Sequence, residues 1–340
     1  MDTPQLTNAG RSNLLRKTTA LLEVLGILIA GSFVSGKVMS FLGIKPLGSL
    51  FQSVSKTSEP DFIALSIGWL KIMFVQYACL LSPAFVVGWW RRRFRVTHYG
   101  VTTAGQPVLR LVVLGFTVFA LVALPLKLLW VAKRSLPLGS GPAFWALLDK
   151  SWTPSFWLFL AVSSFGITPV LEELFYRGYC QTRLEEEFGG MGAIVIVTLF
   201  MTLGHNQYHQ LNALSIGTII ALIPIILGMG YVYWRSRSLV PAIILHMIVN
   251  FPTKAGYDFI LPALMAGSLI LFPTKWLNMV RDFYSEWTKR SWKKTAFPAA
   301  AVATVLVVGF ESWPVLFTEI GFLCIGAALW LECRDRKLSQ

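Results

Sequence analysis

Residues 156–178 read FWLFLAVSSFGITPVLEELFYRG, a largely apolar run of 23 residues with two adjacent carboxylates, Glu172 and Glu173, near its end. A helix needs roughly 20 apolar residues to cross the hydrocarbon core of a membrane, and this run is that long. Ionisable side chains at the end of such a run are costly and indicate a functional site. The stretch therefore predicts a membrane-spanning helix that carries chemistry at one end.

The rest of the chain has the same apolar character. Of its 340 residues, 55% are hydrophobic and only 14% are charged, whereas about 25% are charged in a typical soluble domain. The net charge of +13 is distributed between apolar runs, which favours membrane lipids as partners and argues against nucleic acid. The four cysteines show no CxxC spacing, so neither a disulfide framework nor a thiolate metal site is predicted.

The hydropathy pattern predicts an all-α fold, a polytopic transmembrane helix bundle with about 8–10 membrane spans. Three of the candidate spans are short or polar, notably 191–207 and 239–252, and short spans are tolerated when they are buried inside a bundle rather than facing lipid. The candidate spans are 19–38, 63–89, 109–131, 155–177, 191–207, 211–233, 239–252, 256–274, 296–312 and 315–331. We divide the chain into N-terminal transmembrane helices (1–150), a core of about four helices (151–255) and C-terminal transmembrane helices (256–340).

If the N-terminus is cytoplasmic, the loops on the cytoplasmic side carry about three times as many basic residues as the loops on the other side. This bias predicts an even number of crossings with both termini cytoplasmic, and we expect the membrane to be a bacterial cytoplasmic membrane. The first apolar run is too long for a cleavable signal peptide. Lys71 and Lys127 fall within predicted spans; they pair with buried acids or extend to the interface, and the second is favoured for long side chains.

The two carboxylates differ in their helical neighbours. Glu173 and Arg177 stand at i and i+4, the favoured orientation for an ion pair. Glu172 points about 100° away and has no such partner within a turn. Glu172 is therefore the candidate general base, although two solvated carboxylates at a helix end is the alternative interpretation.

A second polar position is His205, which closes the apolar run that begins near Met191. A turn at Gly189 and Gly190 would bring His205 to a depth similar to that of Glu172 if both arms are helical. His205 and His209 are four residues apart, a spacing that suits two imidazoles on one metal. No Glu lies between them, so this is not an HExxH zinc helix, and an ordinary interfacial histidine is the alternative.

His246 and Asn250 also stand at i and i+4, on one face of an otherwise apolar run. Buried polar groups of this kind need partners. They would supply a second metal position or donate hydrogen bonds to a developing oxyanion. The alternative is interhelical hydrogen bonding, which is common in membrane bundles.

Taken in order, Glu-Glu-x-x-x-Arg, a His that closes the next helix, and His-x-x-x-Asn resemble the CPBP family. This family comprises CAAX proteases and bacteriocin-processing enzymes, and it includes the type II Ras-converting prenyl endopeptidases. The resemblance covers about residues 155–252: 171–178 match the first motif fully, and 227–239 resemble the lead-in to the third. The second motif usually has Phe four residues before the His. Met201 stands there instead, which leaves His209 as a weaker alternative to His205.

The resemblance implies a role for each residue. Glu172 with His205 would activate a water for attack on a peptide carbonyl, His246 and Asn250 would stabilise the oxyanion, and Glu173 and Arg177 would brace the site. An older view of the family makes it metal-dependent, in which case Glu172, His205 and His246 would hold zinc. We favour chemistry without a metal cofactor, because Asn250 suits an oxyanion better than zinc.

The function predicted from the sequence is thus an intramembrane CAAX-type endopeptidase, a hydrolase acting on a membrane-anchored peptide or protein whose C-terminus carries a prenyl group. One alternative is a non-catalytic membrane scaffold or a bacteriocin-immunity-type protein. A proton-coupled transporter is less favoured, because the paired halves with corresponding broken helices that transporters often show are not found.

Overall fold

The structure, a computed structural model, describes residues 8–46, 48–51, 60–91, 96–133, 135–139, 153–251, 260–312 and 314–338. Regular secondary structure in these ranges is helical, and they contain no strand. This confirms the all-α fold class. The stretches at residues 1–7, 52–59, 92–95, 140–152 and 252–259, where several predicted loops fall, lie outside the described residues.

The described residues contain thirteen α-helices, and two π turns, Ser163–Ile167 and Leu174–Gln181, flank α6. The helices are α1 (Asn8–Phe41), α2 (Phe62–Trp90), α3 (Val108–Val122), α4 (Leu124–Ala132), α5 (Pro154–Val162), α6 (Thr168–Glu173), α7 (Thr182–Leu203), α8 (Ala213–Ser236), α9 (Val240–Val249), α10 (Ile260–Leu271), α11 (Pro273–Thr288), α12 (Arg290–Ser312) and α13 (Pro314–Leu338).

The candidates for membrane-spanning helices are identified by their length and apolar composition. Four such stretches occur among the described residues, or five if α3 and α4, which are bent by 51°, count as one span. The predicted spans 155–177 and 191–207 belong to a single stretch of 50 residues, Pro154–Leu203. Its one non-helical residue is Gly189 (φ 72°, ψ 168°), at the predicted turn. α9 has only 10 residues, too short to cross alone.

Exposed apolar side chains on α2 indicate that the bundle is surrounded by lipid. Ile63, Ile67, Leu70 and Phe74 of α2 are all exposed. Their spacing of three and four residues places them on one helical face, opposite to the arrangement of a soluble protein. Together with the four or five candidate spans, this lipid-facing stripe makes the chain a multi-pass membrane protein.

The interior is formed by α7 and α8, which pack against each other and hold many of the buried residues. α12 packs on α7, α13 packs on α1, and α9 packs on α3. The last contact is close at Gly115, where a Cβ atom would lie 2.7 Å from the carbonyl oxygen of Pro241. Glycine at this point lets α9, which carries His246, approach α3.

Ionic side chains collect at one end of the bundle. Glu23 of α1 is buried and accepts hydrogen bonds from the Tyr179 hydroxyl (2.7 Å) and from Nε of Arg183 (2.8 Å). Arg91, just after α2, contacts both Glu23 (3.5 Å) and Glu186 (3.1 Å). The end of α2 and the beginning of α7 therefore lie at the same end of the molecule.

Candidate active site

Glu172 and Glu173 are the last residues of α6, and the second π turn follows at once. Pro169 has no backbone N–H to donate to the carbonyl of Phe165, which weakens regular α-helical bonding just ahead of the carboxylates. π turns widen a helix and occur frequently at functional sites. The sequence analysis assumed a regular α-helix here and did not anticipate either π turn.

Glu173 is fully buried and holds two partners on one oxygen. Its Oε1 accepts from Nη1 of Arg177 at 3.1 Å and lies 2.8 Å from Nδ1 of His246. Arg177 is also fully buried, and its Nη2 donates to the carbonyl of Ile226 at 3.1 Å. The ion pair expected at i and i+4 is thus present, and it extends to a histidine on another helix.

His246 lies between the two carboxylates. Its Nδ1 lies 2.8 Å from Oε1 of Glu173, and its Nε2 lies 3.8 Å from Oε2 of Glu172. That separation is too long for a direct hydrogen bond. Glu172 keeps 18% of its side-chain surface exposed, so a polar group such as a water molecule has access to both atoms.

Tyr77 adds a contact that the sequence analysis missed. This buried tyrosine of α2 lies close enough to Glu172 for its hydroxyl to interact with the carboxylate. The signal in the sequence was a phenol inside the apolar run 63–89, but an apolar environment suits a tyrosine ring equally well. Only its position against Glu172 distinguishes it from other aromatic residues of the bundle.

Asn250 follows α9 directly and reaches the first π turn. Its Nδ2 donates to the carbonyl of Ser164 at 3.3 Å, and its backbone N–H donates to the carbonyl of His246 at 3.0 Å. His246 and Asn250 therefore share one side of α9, as their spacing predicts. An amide has two N–H groups, so the bond to Ser164 leaves one for a ligand.

His205 is not joined to the other candidates. Its Nδ1 lies 2.6 Å from the carbonyl of Met201, one turn earlier, and its ring stacks on Tyr208. Within the described chain it makes no hydrogen bond or ion pair with Glu172 or His246. His209 is exposed, on the far side of the 3₁₀ turn Asn206–Tyr208.

The three donors expected for zinc are not assembled as a metal site. Among residues 8–338 as far as they are described, no group of three His, Cys, Asp or Glu side chains lies close enough to hold a metal ion. Glu172 and His246 face each other, whereas His205 bonds its own helix. No step through a metal is derived from this arrangement.

Met201, where the sequence departs from the family pattern, faces the buried arginine. Its Sδ lies 2.9 Å from Nη1 of Arg177, so the thioether accepts a weak hydrogen bond. Phe200 packs instead against Tyr176, with ring centroids 6.0 Å apart. The helix is regular at this point, and Met201 keeps the contact between α7 and the π turn.

Lys127 corrects a prediction. Extension to the membrane interface was favoured for this side chain, but Lys127 is only 6% exposed. Its Nζ donates to the carbonyls of Val249 (3.2 Å) and Phe251 (3.3 Å). The sequence showed a lysine inside an apolar run, and only the packing of α4 shows which helix end it meets. Lys71, in contrast, is exposed.

Comparison with protein-family models gives one match, to "Type II CAAX prenyl endopeptidase Rce1-like", over residues 153–252. Comparison with curated proteins and with solved structures gives no significant match. The matched region is less than a third of the chain, and it holds Glu172, His205, His246 and Asn250. The matched model describes a protease family, and it agrees with the resemblance to CAAX proteases that the order of the motifs indicated. Residues 153–252 are therefore similar to the type II CAAX prenyl endopeptidase Rce1-like family.

Proposed function

We propose that this chain is an intramembrane endopeptidase that cleaves a membrane-anchored peptide or protein, in particular one whose C-terminus carries a prenyl group of the CAAX type. The observation that carries the proposal is the pair formed by Glu172 and His246, whose Oε2 and Nε2 atoms face each other at 3.8 Å. Both side chains belong to the domain matched by the family model. The pair lies in an apolar bundle where charged groups are expensive.

In the proposed reaction, a water placed between these two atoms is the nucleophile. Glu172 accepts a proton from the water as general base, and the water oxygen bonds the peptide carbonyl carbon. Collapse of the tetrahedral intermediate breaks the C–N bond, and the proton held by Glu172 passes to the leaving amine. Glu172 thus serves first as the base and then as the acid, and it is returned to its starting state.

The oxyanion of the intermediate needs donors that are fixed before the reaction. His246 is oriented by Glu173, and in this proposal it donates to the oxyanion in its doubly protonated form, with Nδ1–H on Glu173 and Nε2–H on the oxyanion. The ion pair with Arg177 compensates the buried carboxylate. Asn250 has a free amide N–H beside the bond to Ser164 and supplies the second donor. The role expected for His205 in activating the water is not part of this proposal, because its described contacts are to Met201 and Tyr208.

Access to the pair favours a substrate that is held in the bilayer. Glu172 is partly exposed, and Val170, two residues earlier on α6, is 44% exposed. An apolar anchor on the substrate would lie among membrane lipids beside this surface while the peptide reaches Glu172. We further propose that both termini lie in the cytoplasm of a bacterial cell, from the distribution of basic residues.

The test is cleavage by the purified protein in lipid vesicles, with a panel of prenylated, acylated and unmodified peptides. Glu172→Gln is expected to abolish turnover, and Asn250→Ala is expected to lower kcat by about 10²–10³-fold, the typical cost of one oxyanion donor. The matched controls, Glu319→Gln and Asn278→Ala, change exposed residues on α13 and α11 and should keep full activity. Cleavage by Glu172→Gln at the wild-type rate would refute the mechanism.

The same assay tests metal dependence. We expect a strong chelator to leave kcat unchanged, because proton transfer by Glu172 and the Asn250 amide requires no metal. Loss of activity that added zinc restores would show that a metal takes part. If every peptide in the panel stays intact with the folded wild-type protein, the non-catalytic scaffold becomes the better interpretation.

A further inference from the structure

Lys127 is a buried cation close to the active site that the proposed reaction does not use. It belongs to α4, which continues α3 after a bend of 51°. The bend turns α4 away from the axis of α3. On a straight continuation of α3 the Lys127 side chain would lie elsewhere. The bend therefore determines which groups its ammonium contacts.

The ammonium group of Lys127 meets the end of α9. It donates to the carbonyls of Val249 and Phe251 at 3.2 Å and 3.3 Å, which are the carbonyls immediately before and after that of Asn250. The last carbonyls of a helix have no partner within the helix, and the C-terminal end of a helix attracts cations. Lys127 thus holds the backbone on both sides of one candidate catalytic residue.

The same short segment is fixed by two further contacts. The Asn250 amide donates to Ser164 in the first π turn. The ring of Phe251 stacks on Phe165 of that turn, with centroids 5.7 Å apart and an interplanar angle of 28°. Lys127 approaches from α4 and the π turn contacts the side chains, so the direction of the Asn250 amide depends on both.

We propose that Lys127 is a positioning residue for the oxyanion donor: its ammonium fixes the backbone carbonyls on either side of Asn250 and so directs the Asn250 amide. The inference rests on the proposed peptidase function. It assigns to Lys127 no contact with substrate. An ammonium provides three donors, so one group bonds two carbonyls that a neutral apolar side chain would leave without partners in a membrane.

The effect of losing this contact should fall on turnover. Misplacement of a catalytic group by about 1 Å costs about 10²-fold in rate. We therefore expect Lys127→Met to lower kcat by about 10–100-fold with KM changed less than about twofold. Lys127→Arg keeps the charge and several donors and should recover most of the lost kcat. Lys71→Met, the same change at an exposed position of α2, is the matched control.

A second measurement does not depend on activity. Hydrogen–deuterium exchange in lipid vesicles is followed for the peptide that contains residues 246–251. We expect faster exchange in Lys127→Met than in wild type and in Lys71→Met, because the carbonyls at the end of α9 lose their donor and the last turn opens more often. Thermal unfolding of each variant identifies any loss of the folded state.

The outcomes separate the two proposals. Unchanged kcat or unchanged exchange in Lys127→Met would overturn the role of Lys127. The role would also be overturned if kcat fell only in proportion to the loss of folded protein and Lys127→Arg did not recover it. That result would mean that Lys127 only caps the end of α9. If wild type cleaves no peptide, or Glu172→Gln remains active, the proposed function fails, while exchange at 246–251 still reports whether Lys127 holds the segment.

Discussion

Glu172 and Glu173 are adjacent in the chain, but their surroundings give them different chemistry. Glu173 has no exposed surface and binds Arg177 and His246 through one oxygen. Glu172 keeps part of its surface and faces His246 across 3.8 Å. A buried charge is tolerated only with a partner and hydrogen bonds, so Glu173 is committed to structure. Glu172 remains available for proton transfer.

At the residue scale we predict that Arg177→Met destabilises the protein by about 3–5 kcal/mol, because it leaves Glu173 as an uncompensated buried charge. The control is Arg235→Met, which removes an exposed pair with Asp282 and should cost less than about 1 kcal/mol. Equilibrium unfolding in detergent measures both variants. Equal losses would show that the burial of Arg177 has no energetic consequence.

The helices around the site depend on local departures from regular geometry. The π turns on either side of α6 set the direction of the two carboxylates. α9 reaches them because α3 presents a glycine, Gly115, where the Pro241 carbonyl comes near. α9 is too short to hold its place by spanning the membrane, so its position depends on these close contacts.

At the element scale we predict that Gly115→Ala lowers stability by about 1–3 kcal/mol, the usual cost of overpacking. It should also reduce kcat, because α9 moves away and takes His246 with it. Gly36→Ala, in α1 where a Cβ would meet nothing within 4 Å, should be neutral or stabilise by up to about 1 kcal/mol. Unfolding and cleavage are measured on both. Wild-type activity in Gly115→Ala would mean that α9 tolerates displacement.

The whole molecule has two distinguishable ends. α8 begins beside residue 138, where the Leu214 N–H donates to the Leu138 carbonyl at 2.8 Å. It ends beside the segment 96–106, where Gln106 donates to the Ser236 carbonyl at 3.1 Å. With 24 residues, α8 is about 36 Å long, enough to cross a bilayer. The ends of α8 are therefore far enough apart to lie on opposite sides of a membrane.

At the scale of the whole molecule we predict opposite labelling of two introduced cysteines in a chain whose native cysteines are replaced by alanine. A membrane-impermeant maleimide should label Leu136→Cys in intact bacterial cells and His98→Cys only after permeabilisation, because basic residues gather at the His98 end. Both native side chains are exposed. Labelling of both in intact cells would refute the two-ended arrangement, and the reverse pattern would invert the proposed orientation.

Composition and hydropathy were sufficient for the fold class, because an apolar chain in a bilayer must satisfy its backbone internally and helices do this locally. The ion pair of Glu173 with Arg177 was likewise predictable, since i and i+4 neighbours meet on any helix. The neighbours of the short apolar runs were not predictable in this way. Apolar runs such as 191–207 and 239–252 look like crossings whether they face lipid or other helices.

The sequence by itself determined the helical membrane class, the turn at Gly189 and the shared face of His246 and Asn250, because each depends on residues close together in the chain. Tertiary structure alone decided that His246 bonds Glu173 and faces Glu172, and that Tyr77 contacts Glu172. It also decided that Lys127 meets the end of α9 rather than the membrane interface. These four contacts join residues 73 to 122 positions apart, and their geometry depends on π turns and a helix bend. No local pattern encodes where such departures direct a side chain.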